Sequence, residues 1–166
     1  MPRRGGRDYG PVMPPARFLT DSSLDSLARR LRFLGYDVVT LRGARLEEVL
    51  AAARRDGRTV LTLSRRRPRR WADVPAITLE RGDDVGAVRE LAAHHEPAGP
   101  PFSRCGECGT ALERRLAVEA RGEVPGRVLR AAADLHHCPG CGRWYWEGTH
   151  VARIREWLER ALGRAV

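Results

Sequence analysis

Four cysteines form the clearest chemical pattern in this sequence. Cys105 and Cys108 make one C-x-x-C pair, Cys138 and Cys141 make a second, and a glycine follows each pair. Two-residue spacing presents both thiolates of a pair to one ion, and four thiolates complete the tetrahedral shell of zinc without leaving a position for water or substrate. The pattern therefore predicts one structural zinc ion, with disulfide bonds and a redox-active pair as the alternatives.

Carboxylates are the second group of residues that could do chemistry. Several of them at one edge of a sheet would hold magnesium or manganese through oxygen ligands, and a pair of such ions can activate water for phosphodiester hydrolysis. The candidate catalytic carboxylates are Asp21, Asp37, Glu47, Glu48, Asp83 and Asp84. Asp21 could instead cap the helix that follows it, and Glu47 and Glu48 could stabilise a helix dipole.

A cluster of arginines marks the predicted nucleic-acid surface. The formal net charge of +9 and a pI near 10.7 favour a polyanionic partner such as RNA, DNA or a ribosome. Guanidinium groups bind phosphates in a bidentate manner, so the predicted RNA-binding residues are Arg65, Arg66, Arg67, Arg69, Arg70 and Trp71. The ring of Trp71 could stack on a base or pack beneath its loop. We expect Trp144, Tyr145 and Trp146 to lie mainly in the core of the cysteine module, with contact between one exposed ring and RNA as the alternative.

The elements that must position these groups alternate between strands and helices. Apolar, often β-branched runs predict strands at residues 17–20, 36–41, 59–63 and 76–79. Apolar residues at helical spacing predict helices over residues 24–34, from 46 to Gly57, and over 85–95. This alternation predicts an α/β fold with a parallel sheet covered on both faces. Asp21 follows the first strand, and the carboxyl ends of parallel strands form the functional edge of such sheets.

Composition divides the chain into four predicted segments. Residues 1–16 form a disordered basic arm, residues 17–95 the α/β domain, residues 96–103 a Pro/Gly linker, and residues 104–166 a zinc ribbon with a terminal helix. We expect the long interval between the cysteine pairs to contain a helix over residues 124–135. No run of about 20 apolar residues and no signal peptide is visible, so we expect a cytoplasmic protein with no membrane partner.

Several segments together resemble a known family, the RNase domain found at the C-terminus of the Mut-seven exonuclease and as free-standing prokaryotic proteins. The similar segments are FLTDSSLDSLARRLRFLGYDV, GRTVLTLSRR and CPGCGRWYWEGTH with the helix that closes the chain. The resemblance covers about residues 17–162. It implies a PIN-like fold, RNA cleavage by a carboxylate cluster with divalent metal, and an appended zinc ribbon.

The resemblance also implies roles for single residues. Asp21 matches the family's aspartate after the first strand, Asp37 matches the aspartate of its G-Y-D motif, and Asp83 or Asp84 matches an acidic position after the last strand. Where the family pattern typically has Thr-x-Asp after the third strand, this chain has Ser64. Two hypotheses follow: a metal-dependent ribonuclease weakened at Ser64, or a catalytically inactive module that binds RNA or a ribosome with the same fold.

Overall fold

The computed structural model describes residues 14–166, and the first thirteen residues of the predicted basic arm lie outside the described residues. The first part of the chain alternates strictly between strands and helices, as its apolar pattern predicts. The strands are β1 Arg17–Asp21, β2 Asp37–Leu41, β3 Thr59–Thr62 and β4 Ala76–Thr78. The helices between and after them are α1 Asp25–Phe33, α2 Leu46–Asp56 and α3 Asp84–His94.

The four strands form one parallel sheet in the order β2-β1-β3-β4. Successive side chains of a strand point to opposite faces, and β1 shows the result directly. Phe18 packs with residues of α1 and α3, whereas Leu19 packs with residues of α2 on the other face. Both side chains are buried. The sheet is therefore covered by helices on both faces, which confirms the predicted α/β class.

The cysteine-containing part forms a second, antiparallel sheet. Its strands lie in the order β5-β6-β7 and are β5 Glu113–Leu116, β6 Asp134–His137 and β7 Trp144–Tyr145. Helix α4 covers only Gly126–Ala131, so the helix predicted over residues 124–135 is wrong in its last part. Ala132 has an extended backbone, and Leu135 pairs with Arg115 in the sheet while burying its side chain. Sheet pairing and burial of Leu135 replace the helix there.

The last helix, α5 Thr149–Leu162, returns to the α/β domain. Leu158 and Ala161 are buried in the same hydrophobic cluster as residues of α1 and α3, and Ile154 packs against it. The apolar stripe that predicted this helix therefore faces the core. Within residues 14–166, no helix combines the length and the apolar character needed to cross a membrane.

Candidate metal centre and nucleic-acid interface

The four cysteines meet at one point between the two C-x-x-C turns. Their sulfur atoms all lie within 4.8 Å of one another. The Sγ atoms of Cys105 and Cys141 are 3.5 Å apart, and those of Cys108 and Cys138 are 3.4 Å apart. Four sulfurs at about 2.3 Å from a tetrahedral zinc would be about 3.8 Å apart, so the cluster fits zinc after a small expansion. The arrangement supports a structural metal ion with a closed ligand shell.

Local backbone geometry explains why the cysteines converge. In the first turn the Gly109 amide donates to the Cys105 carbonyl at 2.9 Å, and in the second the Gly142 amide donates to the Cys138 carbonyl at 2.8 Å. Both glycines have positive φ angles, 80° and 73°, which a residue with a Cβ adopts only with strain. The glycine after each cysteine pair therefore has the role that its position predicts.

A tyrosine completes the surroundings of the buried first cysteine. The Tyr145 hydroxyl lies 3.0 Å from Sγ of Cys105, and a hydroxyl is the only possible donor to a metal-bound thiolate there. Burial raises the pKa of Tyr145, and the contact with Cys105 raises it further. The hydroxyl therefore stays protonated and keeps its hydrogen bond to the sulfur.

Arg32 fastens the first cysteine turn to the α/β domain. Its side chain is 2% exposed, and burial lowers its pKa. The guanidinium donates to the carbonyls of Gly106 and Glu107 at 3.0 and 2.9 Å, and to that of Val38 in β2 at 3.0 Å. It also donates to the Thr40 hydroxyl at 2.8 Å. One side chain of α1 thus joins the parallel sheet to the metal-binding turn.

Asp21 lies at the carboxyl edge of the parallel sheet, as predicted. It ends β1 and caps a short 3-10 turn, because one carboxylate oxygen accepts from the Ser23 amide at 2.7 Å. Ser64 follows the end of the neighbouring strand β3 and donates its hydroxyl to the Arg66 carbonyl at 2.9 Å. In the described part of the chain Asp21 forms no ion pair.

Asp37 lies at the opposite edge from Asp21. It is the first residue of β2, and it is in register with Arg17, the first residue of the parallel strand β1. Its carboxylate accepts from the Arg58 guanidinium at 2.9 and 3.2 Å and lies 3.5 Å from Arg17. Five residues of strand separate the two edges by roughly 13 Å. The structure therefore does not bring Asp37 to Asp21, and it gives Asp37 a partly buried ion pair that joins the amino ends of the strands.

The other candidate carboxylates each have a partner within the protein. Asp83 caps α3 by accepting from the Gly86 amide at 2.8 Å, and Glu48 caps α2 by accepting from the Arg45 amide at 2.6 Å. The remaining ion pairs join Asp84 to Arg30 and Glu47 to Arg70. Capping and pairing, rather than convergence on one point, account for these four side chains.

Magnesium or manganese needs several oxygen ligands at one point, and the sheet edge does not present them. Among residues 14–166 the only group of three or more potential metal ligands is the cysteine cluster. Asp25, one turn beyond Asp21, is paired with Arg42 at 3.1 Å. Ser64 offers a neutral hydroxyl that is already bonded to the backbone. The residues at this edge do not fit a divalent-metal cluster.

The predicted arginine surface divides into anchoring and free side chains. Arg65 pairs with Glu80 at 2.6 Å, Arg70 pairs with Glu47, and Arg67 donates to the Val74 carbonyl. Arg66 and Arg69 have no ion pair and no side-chain hydrogen bond within the described residues. A cavity of about 340 Å³ opens at this loop. Its polar lining comes from Thr62, Ser64 and Thr78 at the ends of two neighbouring strands, and from the loop arginines 65–67 and 69.

Trp71 does not extend into solvent beside these arginines. It packs against the cluster formed by α2 and one face of the sheet, and the Arg54 guanidinium lies 4.3 Å from its ring centre. Its indole Nε1 is buried and has no hydrogen-bond partner among residues 14–166. Trp71 therefore packs beneath its loop, which was the alternative to stacking on a base.

Sequence reasoning missed two arginines that organise the molecule, Arg32 and Arg58. A signal for Arg32 was present: it lies four residues after Ala28 on the stripe of α1 that is otherwise apolar. Arg58 follows directly after Gly57, at the start of a strand, and nothing in its spacing indicates a carboxylate partner 21 positions earlier.

Comparison with known proteins identifies a family to which the chain is similar. The family described as the Mut7-C RNAse domain matches residues 16–158. No curated protein and no solved structure matches the chain. The matched range includes the whole parallel sheet, the four cysteines and most of α5. The chain therefore belongs to the Mut7-C RNase domain family.

Proposed function

We propose that this protein binds RNA along the carboxyl edge of its parallel sheet, and that it does so without efficient cleavage. The observation on which the proposal rests is that two arginines at this edge have no ion pair, whereas nearby carboxylates are paired with other arginines. Arg66 and Arg69 have no ion pair in the described part of the chain, whereas Glu47 and Asp84 are neutralised by arginines. Membership of an RNase family supports RNA as the polyanion.

The lining of the adjoining cavity suits a phosphate group. Thr62 and Thr78 contribute hydroxyls that can donate to phosphate oxygens, and Arg66 and Arg69 contribute guanidinium groups. The Ser64 hydroxyl also lines the cavity, but its hydrogen is already donated to the Arg66 carbonyl. A phosphate is repelled by an unpaired carboxylate, and no carboxylate of residues 14–166 lines this cavity. Contacts of this kind hold the backbone of any RNA, so the proposal is for binding with little base specificity at this edge.

The test replaces the two free arginines together, as Arg66→Gln with Arg69→Gln. Each phosphate contact contributes roughly 0.7 to the salt slope for a single strand, so the double variant should flatten log affinity against log salt by about 1.4. The measurement is the binding of a fluorescent single-stranded RNA at several salt concentrations. Arg160→Gln with Arg164→Gln is the matched control, because it removes the same charge from exposed positions on and just after α5. An unchanged slope in the Arg66 and Arg69 variant would exclude this edge as the binding surface.

A second candidate function, divalent-metal-dependent RNA hydrolysis, is favoured by one observation. Asp21 lies at the edge where the arginines are, and it forms no ion pair in the part of the chain that the structure describes. One carboxylate of this kind could hold a metal only with ligands from elsewhere, such as RNA phosphates. Manganese-dependent cleavage of RNA that Asp21→Asn abolishes would establish this second function.

A further inference from the structure

A second cavity lies on the other module, away from the arginine edge. It has a volume of about 650 Å³ and lies among the cysteine-containing sheet, α4, the N-terminal turn of α5 and the end of the linker. Ligand pockets typically have about 300–1,000 Å³, so this cavity is of the size that takes a small molecule or one nucleotide. No part of the proposed function uses it.

The walls of this cavity are apolar and aromatic. Phe102 and Trp146 are half-buried there, and Tyr145 is held in place by its contact with Cys105. Helix α4 contributes the small, exposed side chain of Ala131 to the lining. The Trp146 ring lies beside the backbone of Gly148, because a Cβ built there would be 3.4 Å from the indole Nε1. The indole N–H has no partner within residues 14–166.

The charges at the rim leave a positive balance. Two acidic side chains line the cavity, but Asp134 is paired with Arg114, and Glu147 is paired with Arg155 at 3.0 Å. Arg127 also lines it, is exposed, and has no ion pair in the described part of the chain. The rim therefore complements a ligand that combines a flat apolar ring with a negative charge.

From these features we infer that the cavity binds one unpaired nucleobase of a bound RNA, with Arg127 on the adjacent phosphate. The inference rests on the proposed RNA binding and adds a second contact site to it. An aromatic wall accepts the π-face of any base, and the free indole N–H of Trp146 can donate to a base edge. This contact requires a single strand, because a paired base cannot leave its helix at low cost.

The test fills the cavity from α4 with Ala131→Phe. Loss of a stacked base should lower the affinity for single-stranded RNA at least about fivefold, and roughly tenfold for a typical stacking contact. The slope of log affinity against log salt should not change, because no charge is removed. Ala133→Phe is the matched control: Ala133 is exposed, lies two residues further on and does not line the cavity. Equal RNA affinities of the Ala131→Phe variant and the wild type would overturn the inference.

A second measurement does not depend on RNA or on the folding of that variant. AMP should shift the NMR signal of the Trp146 indole N–H in a saturable way, and ribose 5-phosphate, which has no base, should not. Arg127→Gln should weaken AMP binding, whereas the control Arg121→Gln should leave it unchanged. If AMP and ribose 5-phosphate shift the indole signal equally, or if neither shifts it, the cavity does not bind a base and the inference is wrong. AMP binding that persists in the Arg66 and Arg69 variant supports the site independently of the edge. The salt slope of that variant tests the edge alone.

Discussion

At the scale of single residues, the most consequential side chain is one with no part in binding RNA. Arg32 brings a full charge into the protein interior, which costs several kcal/mol unless hydrogen bonds replace the lost water. Three backbone carbonyls and the Thr40 hydroxyl provide that replacement. Two of those carbonyls belong to the first cysteine turn, at Gly106 and Glu107. The position of the metal centre on the α/β domain therefore depends on this guanidinium.

Arg32→Met should lower the free energy of unfolding by about 3 kcal/mol, because it leaves several buried carbonyls without donors. The measurement is urea denaturation of the zinc-loaded protein. Arg29→Met is the control, since Arg29 is also on α1 and contacts the same turn through Glu107, but as an exposed ion pair. Its loss should cost about 0.5 kcal/mol. Equal losses in the two variants would mean that the buried network contributes no more than a surface pair.

At the scale of elements, the small antiparallel sheet has few contacts of its own beyond the four-cysteine cluster. Strand β7 has only two residues, and the apolar cluster beneath β5 and β6 is small, with Leu135 at its centre. So little buried apolar surface rarely stabilises a module alone. We propose that zinc bound by the four cysteines supplies the missing free energy, because the ligands converge only in the folded state.

Protein purified without added zinc should therefore contain about one zinc per chain, and Cys138→Ser should unfold the small sheet. Elemental analysis gives the zinc content, and the NMR signals of β5 to β7 report folding of the module. Ser103→Ala is a suitable control, since Ser103 lies two residues before the first cysteine and the substitution removes a side-chain hydroxyl that donates to the Pro100 carbonyl at 2.6 Å. A folded module with no metal bound would contradict this role.

Most elements could be predicted because their apolar residues repeat with one clear period. The runs around Phe18 and Val60 are short and apolar, and the sheet buries both on its two faces. Spacing did not predict the α4 region correctly. Val124, Val128 and Leu135 are all buried in one cluster, but Val124 lies in a loop, Val128 in helix α4 and Leu135 in strand β6. Spacing alone does not separate these cases.

The sequence predicted which types of residue form the candidate site, but not which side chains pair with one another. The four cysteines could be assigned because their spacing itself is the geometric requirement. The family motif suggested that Asp37 belongs to the carboxylate cluster. Strand direction decides which edge of the sheet a residue occupies, and Asp37, as the first residue of β2, lies at the amino edge. Arg65 and Arg66 are neighbours with the same chemistry, yet Arg65 has a partner and Arg66 has none, because Glu80 approaches from beyond β4.

At the scale of the whole molecule, each proposed RNA contact combines an unpaired arginine with an adjoining cavity. The chain has 30 Lys+Arg against 21 Asp+Glu, so acidic side chains can neutralise most but not all of the cations. The unpaired ones discussed above are found at the carboxyl edge, Arg66 and Arg69, and beside the aromatic cavity, Arg127. Binding at both places would let one strand cross from the parallel sheet to the cysteine module.

The carboxyl edge also makes a prediction about catalysis. Wild-type protein should show no manganese-dependent cleavage of single-stranded RNA, because no carboxylate in the described part of the chain joins Asp21 in a group of potential metal ligands. Ser64→Asp places a carboxylate just beyond β3, the strand next to β1 in the sheet, and should give slow cleavage that requires manganese. Ser64→Asn has a similar shape without the charge and should remain inactive, and adding Asp21→Asn to Ser64→Asp should remove the gain. Cleavage by the wild type that Asp21→Asn abolishes would instead show that RNA or another side chain supplies the missing ligand, and it would make hydrolysis the function of this edge.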